Sequence, residues 1–294
     1  MRRITLTALV PLLLALVGVA CGRASASQSN DNPTEMKSDT TAPADTSSVT
    51  VRVETSMGSF TVLLYGDTPQ HRDNFLKLAR EGYYDGTLFH RVINQFMVQA
   101  GDPDSKTAAP GQRLGSGGPG YTIPAEIVFP KHFHKRYALA AARQGDQVNP
   151  EKRSSGSQFY IVTGQRMIPA QLQGMKQHLQ QQQMQSIFNG LAAGYMDEIR
   201  AMQAKGDTTG LKALQDKLIA ETEARAAANP LPFTPEMEKA YTETGGAPHL
   251  DGGYTVFGEV IAGQDVVDRI EKAETDPSDR PVEDIRIISM KVVQ

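Results

Sequence analysis

Residues 88–102 read LFHRVINQFMVQAGD, one histidine and one arginine set among Phe89, Val92, Ile93, Phe96, Met97 and Val98. The stretch holds no nucleophilic Ser or Cys and no glycine-rich phosphate cradle, so covalent catalysis or phosphoryl transfer would need groups from elsewhere. GSGGPG at 115–120 matches the spacing of a pyrophosphate-binding turn. No strong strand leads into it, however, and Pro119 and Pro124 oppose the helix whose N-terminus would face the phosphate, so it reads as a surface loop. In SSGSQFYIVTG, Ser155 and Ser157 flank a glycine, whereas a nucleophile elbow has glycines on both sides of the serine and a strand-turn-helix setting. His132 and His134 would face one way on a strand, but no nearby Cys, Asp or third His completes a metal site. Neither metal nor cofactor is expected.

The elements that would position these residues are mostly short strands. VRVET and SFTVLLY flank a turn at Ser56–Gly58 and predict a hairpin. DTPQHRDNFLKLAREG predicts a helix with Thr68 as N-cap, Pro69 at its first position, Phe75, Leu76 and Ala79 on its apolar face, and Gly82 as its stop. Further strands are expected at Leu88–Val92, Phe96–Ala100, Tyr137–Ala142, Gln158–Thr163, Thr255–Val260 and Asp284–Val293, with a helix around Gly263–Lys272. Many short strands with few helices argue for a closed or nearly closed antiparallel barrel. Residues 168–245 break the pattern: rich in Gln, Ala, Met, Lys and Glu, they predict an insert of two or three helices with breaks near Gly190, Gly194 and Gly206–Gly210, and a last short helix opened by Thr234-Pro235. The glutamine run 180–183 reads as a solvated helix face.

LFHRVINQFMVQAGDPD, YALAAARQ, SSGSQFYIV and HLDGGYTVFGEVIAGQDVVDRI occur in that order and together resemble the cyclophilin-type peptidyl-prolyl cis/trans isomerases. The resemblance covers about Val51–Gly164 and Pro248–Val293. It implies a mainly β fold, an eight-stranded antiparallel barrel capped by two helices, here with an α-helical insertion. It also accounts for the missing nucleophile. Rotation about an amide costs about 18–20 kcal/mol because it breaks C–N resonance. As resonance is lost the prolyl nitrogen gains a lone pair, so a fixed cationic donor stabilises the twisted state above either planar one. The resemblance gives that catalytic role to Arg91 in Phe89-His90-Arg91, with His90 as structural support. It seats the proline ring on Phe96, Met97, Tyr160 and Leu250, orients Arg91 through Gln99, binds the extended peptide along the backbone of Ala142, Arg143 and Gln144, and adds a contact from Gln158. Period-two alternation places Phe96 and Val98 on one strand face and Met97 and Gln99 on the other.

Several positions depart from the family pattern. Tyr160 stands where Phe is frequent, His249 where many members carry tryptophan before L-D-G, Tyr254 in place of a pocket histidine and Arg143 in place of Asn. These changes bear on the outer pocket, and the absence of tryptophan predicts weak sensitivity to cyclosporin. The insert leaves after the QFYIVTG strand and returns just before His249, so its ends should lie near the pocket rim, where it could gate or extend substrate binding.

The 294 residues carry 30 Lys+Arg against 33 Asp+Glu, a balance that gives no reason to expect nucleic acid as a partner. Arg2 and Arg3 precede an apolar run from Ile4 to Ala20 that reads as an export signal and stops at Cys21, the one cysteine of the chain. LVGVACG resembles a bacterial lipobox, with Gly18 where Leu is usual, and implies lipidation of Cys21. Residues 22–48 have the composition of a flexible tether. The expected organisation is a signal peptide at 1–20, the lipidated cysteine and tether at 21–49, an isomerase domain at 50–167 and 246–294, and a helical insert at 168–245. The expected partners are proline-containing unfolded or extended polypeptides, with the membrane reached only through the lipid anchor. The expected location is the bacterial cell envelope; Gly22, not Asp, follows the cysteine and favours the outer membrane facing the periplasm. The competing reading is a non-catalytic peptide-binding chaperone module.

Overall fold

The computed structural model describes residues 47–293. The stretches expected to be signal peptide, lipidated Cys21 and tether lie, up to residue 46, outside the described residues. Strands β1 (Val49–Thr55), β2 (Gly58–Leu64), β3 (Arg91–Ile93), β4 (Met97–Ala100), β6 (Ala138–Ala141), β8 (Phe159–Val162), β9 (Val256–Ala262) and β10 (Ile287–Val293) form one antiparallel sheet, and β5 (Thr122–Ile123) pairs with β7 (Ser154–Ser155) beside it. The large sheet runs β10-β1-β2-β9-β6-β8-β4-β3. Its ends meet through the segments that lead into β3 and β10: Leu88 bridges Arg286, and the Phe89 N–H donates to the Ile285 carbonyl at 2.9 Å. The eight strands therefore curl into the barrel that the spacing of short strands predicts.

Alternation along each strand divides the sheet into two apolar faces. Val51, Val53, Phe60, Val62, Val98, Ala100, Leu139, Phe159, Ile161 and Phe257 fill the interior. Met97, Ala138, Ala140, Tyr160, Val162 and Val256 form a separate cluster on the opposite face. Two helices close the interior: α1 (Pro69–Arg80) contributes Phe75, Leu76 and Ala79, and α6 (Gln264–Glu271) contributes Val266, Val267 and Ile270. Phe75 anchors the first of them, its ring centroid 5.1–5.7 Å from those of Tyr84, Phe159 and Phe257.

The start of α1 differs from expectation. Thr68 occupies the N-cap position but its side chain makes no capping bond and points back to the Tyr65 carbonyl instead. The Glu126 carboxylate takes over, accepting from the N–H groups of Gln70 (3.1 Å) and His71 (2.9 Å) and from the His71 ring at 2.6 Å. A carboxylate answers both the unpaired donors and the positive end of the helix dipole. Gly82 ends the helix as predicted, with φ of 67°.

Residues 169–243 hold four helices: α2 (Pro169–Ala193), α3 (Met196–Lys205), α4 (Thr208–Ala228) and α5 (Pro235–Glu243). The helices break at Gly194 and at Gly206, as expected, while Gly190 lies inside α2; Gly206 caps α3 in the left-handed conformation and the Thr234 hydroxyl caps α5 by accepting from the Met237 N–H. Residues 181–230 form a compact unit with its own core of Phe188, Ala192, Ile199, Leu214 and Leu218. The start of α2 and all of α5 belong to the barrel unit, where Leu172, Met237 and Tyr241 pack with Phe133. The chain leaves the barrel and comes back at one point. A Cβ on Gly164 would lie 2.0 Å from the Gly246 carbonyl oxygen, and one on Gly245 would lie 2.2 Å from the Gly164 oxygen, so the two backbones touch where side chains would hold them apart.

Candidate active site

Cross-strand register builds the site. Arg91 on β3 is paired with Gln99 on β4, Gln99 with Tyr160 on β8, and Tyr160 with Ala140 on β6. Neighbouring strands are about 4.8 Å apart, so these residues form one row across the sheet on a common face. Met97 lies two residues from Gln99 and so shares its face, opposite Val162. The result is an apolar patch of Met97, Tyr160 and Val162, with Phe96, Ala142, Leu250 and Tyr254 packed at its margin and the exposed Arg91 in the adjoining strand.

Phe96 does not obey the alternation that assigns it to the face of Val98. It lies in the turn before β4, where Gln95 has φ of 61° and the Phe96 N–H donates to the Ile93 carbonyl at 3.1 Å. The Glu271 carboxylate holds this turn by accepting from the Gln95 N–H at 2.7 Å. The turn swings the Phe96 ring to the Met97 face, 5.3 Å from the ring of His249. His249 and Leu250 come from a short 3-10 turn at Pro248–Leu250. Tyr254 meets Tyr160 edge-on at 6.0 Å, and the Arg143 guanidinium lies 4.3 Å from the Tyr254 ring centre while its Nε donates to the Gly253 carbonyl. The substitutions at 143 and 254 thus act together as a cation–π pair at the rim.

Beneath the patch runs a buried polar chain. The Tyr241 hydroxyl donates to Asp251 Oδ2 at 2.5 Å, and Asp251 Oδ1 accepts from the His134 backbone N–H and from His134 Nδ1, each at 2.9 Å. With Nδ1 donating, the neutral ring accepts the Tyr160 hydroxyl at Nε2, again at 2.9 Å. Burial, with the Tyr254 and Asp251 charges, pushes the Tyr160 phenol well above its ordinary range, so it remains a donor. A buried phenol needs a partner. That need was the available signal for His134 and Asp251, which the sequence reading missed. His132 and His134 do not share a strand face: they lie in a turn, the former bonded to Asp67 and the latter to Asp251. Among the described residues no cluster of His, Cys, Asp or Glu is arranged to hold a metal.

Two predicted contacts take a different form. Gln99 does not bond the guanidinium of Arg91; it donates to Gln158 Oε1 at 2.9 Å, and Gln158 donates onward to the Gly117 carbonyl at 2.7 Å. Arg91 instead reaches Asp279 through Nε at 3.4 Å, a pair exposed on both sides and therefore weak. At the rim both backbone groups of Ala142 are already engaged, its N–H by the Gln158 carbonyl and its oxygen by the Ser155 N–H. The amides of Arg143 and Gln144 make no hydrogen bond among the described residues. Gln144 is exposed and Gln158 buried.

The loop 115–120, read from sequence as a surface loop, lies at the surface and also lines a groove beside the patch. With Gln99, Arg143, Gln144 and Gln158 it bounds a groove of about 840 Å³. Asp102 fixes it by accepting from the N–H groups of Gly115 (2.5 Å) and Gly117 (3.3 Å), and a Cβ at Gly117 would lie 2.1 Å from Asp102 Oδ1. His90, next to Arg91, is buried with neither ring nitrogen hydrogen-bonded. Burial lowers its pKa and keeps the ring neutral.

The model of the cyclophilin-type peptidyl-prolyl cis-trans isomerases matches residues 50–223 and 238–292, and the chain belongs to that family. It is an enzyme, a peptidyl-prolyl cis-trans isomerase. A protein of Staphylococcus saprophyticus, provisionally named as such an isomerase, is 32% identical over 244 residues, spanning 82% of this chain and 90% of its own. One of Staphylococcus aureus (strain USA300), named likewise, is 30% identical over 246 residues, spanning 83% and 91%. A cyclophilin-type isomerase structure from Cryptosporidium parvum aligns over 84% of this chain and 99% of its own, with 20% identity and a TM-score of 0.49.

Proposed function

We propose that this isomerase works on exported, incompletely folded polypeptides from a lipid anchor at Cys21 in the cell envelope, and that Arg91 carries its chemistry. The proline ring lies on Phe96, Met97, Tyr160 and Leu250, which hold it by apolar contact in either isomer. Arg143 and Gln144 amides pair with the extended chain on one side, and Gln158, fixed by Gln99, contacts it nearby. His249 and Tyr254 border the seat. As the amide twists, the Arg91 guanidinium donates to the prolyl nitrogen, whose lone pair exists only in the twisted state; the donation lowers that barrier and leaves both planar states alone. No bond is made or broken and no proton needs to move. The observation that carries the reading is the row Arg91–Gln99–Tyr160, which sets an exposed cation beside an apolar patch. The weak Asp279 pair releases the guanidinium readily.

Exchange spectroscopy by NMR on an Ala-Pro peptide tests the chemistry. Arg91→Ala should lower the catalysed rate about a hundredfold, the scale of losing one charge-stabilising donor. Binding without turnover by the native chain would assign it to a chaperone module instead. Palmitate labelling that Cys21→Ser abolishes, followed by membrane fractionation, tests the anchor and the outer-membrane location; labelling unchanged in the variant defeats the anchor.

A further inference from the structure

We infer that a second groove, formed where the helical insert leaves the barrel, seats a large apolar side chain of the client near the isomerised proline. The inference rests on the isomerase reading of the outer face and adds a substrate preference to it. The groove, about 390 Å³, lies between Phe96, Pro248 and His249 on one side and Met167, Gln171 and Met175 on the other. It lies within the range of small-ligand pockets, about 300–1,000 Å³.

Continuity names the occupant. Phe96 and His249, in ring contact at 5.3 Å, border both this groove and the proline seat. An extended chain advances about 3.3 Å per residue, so with the two rings 5.3 Å apart a residue one or two positions from a proline lying on Phe96 arrives over the His249 ring. The lining carries no Asp, Glu, Lys or Arg. Burial keeps His249 on the neutral side. A charged client side chain therefore finds no ion-pair partner there, only the amides of Gln95, Gln165 and Gln171, while an apolar one meets two methionines and a phenylalanine. Methionine adapts its shape to different neighbours, which suits a site that meets many sequences.

The far wall is built rather than incidental. The Met167 N–H donates to the Tyr241 carbonyl at 2.9 Å. Leu172, one residue past Gln171, is buried with Phe133, Met237 and Tyr241, which fixes the first turns of α2. Gln171 and Met175, four apart on the helix, share a face. Tyr241 in turn donates to Asp251, so the groove wall and the seat floor hang on one carboxylate.

The test uses the chain from residue 22 onward and NMR exchange on proline peptides with alanine at every flanking position, or with one leucine placed in turn at each of three positions on either side. Leucine at one flank should raise kcat/KM about tenfold, mainly through KM. Met175→Glu should abolish that gain and leave turnover of the alanine peptide unchanged, and the milder Met167→Ser should reduce it; amide spectra confirm that both fold. The inference is overturned if the alanine peptide is turned over but no leucine position helps, or if the gain survives in both variants. Absence of turnover on every peptide overturns the isomerase reading and this inference with it. A native dimer that Met175→Glu dissociates, without any leucine gain, assigns the groove to a second copy of the chain.

Discussion

Asp251→Ala should be among the most costly single changes in the barrel unit, although the residue touches no substrate. Its carboxylate, 3% exposed, accepts from the Tyr241 hydroxyl, the His134 backbone N–H and the His134 ring. Alanine strands three buried donors. Each unpaired donor costs about 1–3 kcal/mol, so a loss of about 3–5 kcal/mol is expected, a large part of a typical total of about 5–15 kcal/mol. Asp251→Asn keeps one acceptor oxygen for the two His134 donors and offers its NH2 to the Tyr241 oxygen, with the phenol turned to receive it, so about 1 kcal/mol should be lost. Tyr160→Phe removes only the last bond and should cost about 1–2 kcal/mol with isomerase turnover close to native, since the ring of the proposed proline seat remains. Urea unfolding with linear extrapolation measures all three at constant slope. Equal costs for Ala and Asn, or a cost below 1 kcal/mol for Ala, would refute the idea that this chain supports the seat.

Gly164→Ala should destabilise by several kcal/mol, or prevent folding, because its Cβ would lie 2.0 Å from the Gly246 oxygen; protease sensitivity near residues 164 and 246 reports the separation. Glu126→Ala removes the cap of α1 and the partner of the buried His71 ring, and should cost about 2 kcal/mol by urea unfolding, where Thr68→Ala costs less than 1. Burial opposes the ionised form of Glu126, but bonds from His71 and the helix amides outweigh it and lower its pKa, so its contribution is complete above the unfolded value near 4.5 and is lost as pH falls through the lower folded one. His90 gives the opposite kind of group a similar trend. Burial lowers its pKa, so below about 6.5 the unfolded chain binds a proton that the folded chain refuses, and stability should fall with pH by up to about 1.4 kcal/mol per unit. His90→Phe should flatten that slope between pH 6.5 and 5 in urea titrations; an unchanged slope would count against the assignment.

How far the sequence discloses this molecule depends on how local each determinant is. Strand alternation, Phe96 excepted, the Pro69 and Gly82 boundaries of α1 and the Thr234 cap of α5 are written in neighbouring residues, and the structure has them where the pattern places them. The Thr68 cap fails because Glu126, 56 residues from Gln70, competes for the same amides from a loop with no periodic pattern. Gly190 fails as a helix breaker because it lies in a long helix whose other residues are good formers, and about 1 kcal/mol of glycine propensity cannot end it. Among site residues, Arg91, Gln99 and Tyr160 are legible as positions, but their partners are not. Gln99 turns to Gln158 and Arg91 to Asp279 through contacts 59 and 188 residues apart, which no local pattern encodes.

The two faces of β4 and β8 explain why such a site tolerates change at its rim. Val98, Ala100, Phe159 and Ile161 pack into the interior, while Met97, Gln99, Tyr160 and Val162 alternate with them on the opposite face. Any slip of register would exchange the two sets, so the packing of the interior fixes the seat to within one residue. Residues at the rim carry no such constraint. His249 stands in a 3-10 turn against the Phe96 ring, and Arg143 and Tyr254, both outside the strands, are joined by a cation–π contact and by the Gly253 carbonyl that accepts from Arg143. The insert exploits that freedom. It leaves and rejoins at the glycine contact beside His249, adds methionines to the rim and takes Tyr241 into the polar chain under Tyr160. Rim residues on the insert can thus vary while Arg91 and its strand stay where the barrel holds them.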